Sequence, residues 1–135
     1  MNRSPIRAVL ALALFGLILG ACAPVMGGAS TSEAAGVLTA TYDASVEDGF
    51  GLAQEQVLRT PGWNVAANTP DAGYMRIEQT AMRARLFAAP VTVTEFVAVT
   101  ISSTADGGAS VSVEYTPDGA SVAQNLIASL DQAYP

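Results

Sequence analysis

The chain has 135 residues, with six basic residues, all arginine, against twelve acidic ones, no histidine and one cysteine. A chain of this size builds one small domain, and its acidity gives it no electrostatic footprint for nucleic acid. Without histidine, lysine or a spare thiol there is no Ser–His–Asp triad, no Cys–His pair, no histidine-ligated metal, no Schiff base and no Ser–Lys dyad; no cofactor is expected.

Arg3 and Arg7 precede an apolar run that includes Val9, Leu10, Leu12, Leu14, Phe15, Leu17, Ile18 and Leu19. A charged start, a short apolar core and small residues before a cut make a secretory signal over residues 1–21. The run is shorter than the about 20 residues a spanning helix needs. It closes on Leu19-Gly20-Ala21-Cys22, which resembles the lipobox of bacterial lipoproteins. The resemblance implies thioether lipidation of Cys22, cleavage before it and palmitate-type acylation of the new N-terminus. The alternative is an ordinary cleaved signal followed by a stray cysteine. Each buried CH₂ contributes about 0.8 kcal/mol, so two or three acyl chains would hold the protein on a bilayer. Ala23, where an aspartate could stand, is similar to the pattern sent to the outer membrane, facing the periplasm. The mature chain keeps Arg59, Arg76, Arg83 and Arg85 against all twelve acidic residues, a formal −8. An acyl anchor rather than a basic patch must then hold it to a membrane. With Cys22 lipidated no disulfide forms, and packing alone holds the domain in an oxidising compartment.

Residues 22–36 are small, polar and glycine-containing, and read as a flexible tether with an r.m.s. reach of about 20 Å. The domain occupies residues 37–135. Val37 to Tyr42 alternates as a short strand. Ser45 is a helix N-cap, and Val46, Phe50, Ala53, Val57 and Leu58 make one helical face up to Thr60-Pro61-Gly62. Trp63 to Ala67 reads as a strand and Asn68 to Gly73 as a turn. Tyr74 to Thr80 resumes as a strand, with 81–89 open between strand and helical turn. Val91 to Ile101 is the clearest strand, apolar at Val91, Val93, Val97, Val99 and Ile101. Ala105 to Gly108 forms a hairpin turn, Val111 to Tyr115 a further strand, and Thr116-Pro117-Asp118 opens a last helix lined by Val122, Leu126, Ile127, Leu130 and Tyr134. Two apolar helix faces need one apolar sheet face. The pattern predicts an α+β two-layer sandwich, with an antiparallel sheet of about four or five strands and both helices on one side, in the order β-α-β-β-β-β-α.

The succession Gly62-Trp63-x-Val65, a turn ending in Gly73, Arg76-Ile77-Glu78, a Phe at 87, a Val-rich strand, a Gly-Gly hairpin and a closing helix with Asn125 and Ile127 resembles a family of small bacterial proteins catalogued as a domain of unknown function. The likeness covers Asp48 to Tyr134 and implies the fold. Where that family carries Phe-Gly-Phe-x-Asp this chain has Phe87-Ala88-Ala89-Pro90, and its Arg/Ser-rich segment is replaced by Val113 to Asp118. The resemblance therefore implies no reaction.

Carboxylates are the remaining chemistry. Glu47 and Asp48 fall in a helix first turn, where negative charge is favoured anyway. Asp106 belongs to a hairpin and Asp118 to a helix start. Glu95 stands out as a candidate functional carboxylate, because it interrupts an apolar strand face. A bulge turning it out, a place past the edge of the core, or an arginine partner would each account for it structurally. Arg76, Arg83 and Arg85 concentrate the mature positive charge and are candidates for contact with an anion or partner; ion pairing or edge-strand protection is the plainer account. Trp63 and Phe87 read as core. The first expectation of function is a non-catalytic binding or scaffolding module in the cell envelope, held to the membrane by its lipid and meeting an envelope protein. The alternatives are a hydrolase using Glu95 with Asp118 or a bound metal, and a carrier for a small apolar ligand between helices and sheet.

Overall fold

The computed structural model describes residues 29–135. The expected signal, residues 1–21, and the lipobox cysteine Cys22 lie outside the described residues. Strands β1 (Ala29–Thr31) and β2 (Gly36–Tyr42) are followed by helix α1 (Val46–Leu58), then β3 (Asn64–Thr69), β4 (Tyr74–Arg85), β5 (Ala88–Ser103) and β6 (Ala109–Tyr115), and last by helix α2 (Ala120–Ala133). The sheet order is β2-β6-β5-β4-β3 with antiparallel neighbours, and β1 joins it parallel to β5. The fold is α+β, one sheet and two helices, as the pattern predicts. The sheet has six strands rather than four or five. The added strand, β1, falls in the stretch expected as a tether. Ala29 to Thr31 hydrogen-bond to an unclaimed length of β5, so this part of residues 22–36 is docked rather than free.

Local chemistry sets the boundaries. Ser45 caps α1, its Oγ accepting from the Asp48 N–H at 3.0 Å, with Glu47 and Asp48 in the positively polarised first turn. Gly73 has φ +63°, its carbonyl accepts from the Ile101 N–H at 2.8 Å, and a Cβ there would collide with the Ile101 carbonyl oxygen. Glycine is therefore required where β4 begins. Pro117 opens a short 3₁₀ turn, Pro117–Gly119, that leads into α2.

The core lies between the sheet and the two helices. A row of side chains, Leu38–Val113–Val99–Met75, crosses β2, β6, β5 and β4 in register. Ile77, Val97, Ile101 and Val111 extend that apolar face. Phe50, Ala53 and Val57 of α1 and Ala123, Leu126 and Leu130 of α2 cover it. Burial of each large apolar side chain contributes about 1.5–3 kcal/mol, which is how a domain without a disulfide holds together.

β4 and β5 outrun the rest of the sheet. β3 pairs with β4 only as far as Glu78, and beyond it the two long strands continue as a hairpin to Arg85 and Ala88. Residues 81–85 are thus strand, and Leu86-Phe87 makes a tight turn. Phe87, expected in the core, is 99% exposed. The hairpin carries it beyond the pairing with β3, and no described residue packs over it. It also has φ +60°, a conformation that costs a non-glycine residue about 1–2 kcal/mol.

Candidate functional site

β5 offers one edge to two different neighbours. β6 pairs with Val97 to Ser103 and β1 with Thr92 to Thr94. Glu95 and Phe96 fall in the gap between these partners. The gap is closed by the chain leaving β6: the Thr116 N–H donates to the Phe96 carbonyl at 3.1 Å, and the Phe96 N–H donates to Thr116 Oγ1 at 2.9 Å. Gly119 brings the 3₁₀ turn directly onto β5; a Cβ there would stand 2.6 Å from Val97 Cγ2.

Glu95 sits in this gap, facing the helices, and is 2% exposed. The Ser32 hydroxyl donates to its Oε1 at 2.5 Å. The Asp118 N–H donates to its Oε2 at 3.4 Å. Arg83 Nη2 lies 3.5 Å from Oε1 and also pairs with Asp118 Oδ2. Burial by itself pushes the Glu95 carboxyl up. Hydrogen bonds from Ser32, Thr116 and the Asp118 backbone, with Arg83 beside it, outweigh burial and hold it below the usual glutamate range. Among the described residues no buried side-chain nitrogen or oxygen lacks a partner. A carboxylate held ionised, buried and engaged at both oxygens has no proton to give near neutrality, and donors already face it where a substrate would have to approach. Its geometry is that of a clasp joining β1, β5, the β4 arm and the start of α2.

The candidate residues therefore divide. Glu95, Arg83 and Asp118 come together. Arg76 does not join them: it lies on the opposite sheet face, with its guanidinium carbon 4.0 Å above the Phe96 ring and its Nε donating to Glu78 at 2.9 Å. Arg85 is exposed beside the hairpin turn, where its Nε donates to the Ala89 carbonyl at 3.2 Å. Cys22 is outside the described residues. Ser32 and Thr116 are the members of the clasp that sequence reasoning missed. Ser32 stands in a run of small residues and carries no signal of its own.

A second, part-buried polar contact ties β2 to α2. The Tyr42 hydroxyl donates to Asp131 Oδ1 at 2.8 Å, and burial together with that carboxylate pushes the phenol from 10.0 up to about 12. A shallow groove of about 250 Å³ runs between the end of α1 and α2, lined by Gln56, Val57, Arg59, Pro61, Val122 and Asn125. No helix of the described residues is long and apolar enough to cross a membrane.

No family model matches the chain, and no curated protein matches it. Among solved structures it is similar to a DUF4468 family protein from Bacteroides ovatus, with 9% identity and a TM-score of 0.32, covering 58% of this chain and 52% of that one. The chain thus spans about half the length of that relative.

Proposed function

We propose that the protein is a lipid-anchored module of the bacterial envelope, tethered through Cys22 to the outer membrane on its periplasmic side, and that it acts by binding or scaffolding rather than by catalysis. The observation that carries this reading is the closure of the Glu95 cluster. The most conspicuous carboxylate of the domain is committed to holding the N-terminal strand in place. A hydrolase built on Glu95 and Asp118 would need one of them free, whereas Arg83 pairs with both. A domain whose charged centre fastens its own leading segment, behind a lipobox, suits a body that must stay folded under its anchor while offering an acidic surface to an envelope protein.

Two measurements test this. Metabolic palmitate labelling of the wild type and of Cys22→Ser is expected to mark the first and leave the second blank. Equal absence of label from both ends the lipoprotein reading. Crosslinking in intact cells is expected to recover a recurrent protein partner, and repeated recovery of the bare monomer counts against scaffolding.

A further inference from the structure

We infer that the tip of the β4–β5 hairpin is a second membrane contact, docking Leu86 and Phe87 into the interface of the same phospholipid bilayer that holds the anchor. The inference rests on the lipid-anchor reading and gives the domain a fixed orientation beneath it.

Three observations converge. First, the tip is apolar and no described residue covers it: Phe87 is 99%, Leu86 84% and Met82 73% exposed. An aromatic held at positive φ in an exposed hairpin turn is a poor choice for stability. It is a good choice for an interfacial wedge, since aromatic and aliphatic side chains seat at the boundary of headgroups and acyl chains.

Second, the chain enters the domain at this end. β1 is parallel to β5, with Ala29 opposite Thr92, so the N-terminal end of β1 is the end nearer the hairpin tip. Along β5 the tip lies roughly 17 Å beyond Thr92 at the rise of an extended strand. The stretch from Cys22 to Ala29, fully extended, spans at most about 25 Å. A lipid at Cys22 therefore can lie level with Phe87, and both can meet one surface.

Third, the charge pattern matches. The domain is strongly acidic, yet from Gln79 to Thr94 the only charges are Arg83 and Arg85, and from Cys22 to Ser32 there are none. Both segments that would face the bilayer carry no carboxylate. Arg85, exposed beside the turn with its Nε on the Ala89 carbonyl, keeps its Nη atoms for lipid phosphates.

The test uses the full lipidated protein in vesicles of phosphatidylethanolamine and phosphatidylglycerol. An Ala88→Cys variant places a polarity-sensitive dye beside the tip, and Asp106→Cys places it in the loop at the other end of β5. Mass spectrometry first establishes the acyl chains on Cys22, which also leaves the new thiol as the one labelled. Blue-shifted emission and severalfold protection from an aqueous quencher at 88, but not at 106, are expected. Both should be lost when Leu86→Ser and Phe87→Ser are added. Absence of the acyl mass removes the anchor and this inference together. With the acyl chains present, a dye at 88 as water-exposed as at 106 overturns the inference alone. Protection in native envelopes that disappears in pure lipid vesicles would put a protein over the tip and overturns it as well.

Discussion

The Ser32 hydroxyl and Glu95 Oε1 meet at 2.5 Å although 63 positions separate them in the chain. This bond joins the leading strand to the middle of the sheet and has a buried charge at one end. A hydrogen bond to a charged group contributes about 1.5–3 kcal/mol. Ser32→Ala is expected to lower the unfolding free energy by about that amount, measured by urea denaturation, while Ser32→Thr keeps the hydroxyl and most of the stability. A Ser32→Ala curve that overlies the wild type would show that the bond carries nothing.

The same carboxylate gives the domain an acid limit. Glu95 titrates below its unfolded value, so the unfolded chain binds its proton first as pH falls. The stabilisation is complete above the ordinary glutamate range and is lost as pH drops through the folded value. Glu95→Gln is expected to lower the melting temperature near neutrality and to narrow its gap to the wild type as acid is added. A gap that stays constant from neutral to strongly acidic pH would contradict this.

Tyr42 acts at the other end of the scale. Its phenol is raised from 10.0 to about 12 in the folded protein, through burial and the Asp131 carboxylate. The neutral form is the one the fold favours. Its contribution is complete below pH 10.0 and disappears as pH rises toward 12. Tyr42→Phe should be less stable than the wild type near neutrality and approach it in strong alkali. Denaturation midpoints taken across that range check the sign.

Gly73 and Gly107 both have positive φ, +63° and +85°, yet a Cβ meets the Ile101 backbone at the first and open space at the second. Gly107→Ala is expected to cost about 1–2 kcal/mol for the dihedral alone. Gly73→Ala adds a collision with main chain and should cost clearly more, at least about 2 kcal/mol. Equal losses in thermal melts would mean that β4 shifts freely away from Ile101.

Phe87 presents the reverse case. Removing an almost fully exposed aromatic from a left-handed position takes away strain and no packing. Phe87→Gly is expected to hold or raise the stability of the isolated protein by up to about 1 kcal/mol. A lower melting temperature would show that Phe87 has packing contacts in solution.

The apolar alternation of Val91 to Ile101 and the four-three-four spacing of α1 made the two-layer fold legible, because burial on one face is written in the period of the chain. The Ser45 cap was legible for the same kind of local reason. Glu95 was legible as an exception, a charge on an apolar face, and an arginine partner was among the readings it allowed. Its other partners were hidden, since Ser32 reaches it through a parallel pairing that no local pattern announces. Phe87 was misplaced because sequence shows that a residue is apolar and cannot show that two strands outgrow the rest of the sheet. Two positions apart on a regular strand, Arg83 and Arg85 would share a face, but the pairing shifts register between them; Arg83 turns back to the clasp and Arg85 stays at the tip.

Because β1 lies parallel to β5, tension drawn along the strand from the N-terminus loads its hydrogen bonds in shear, all at once, instead of peeling them one by one. The three residues of β1 would then yield together rather than in turn.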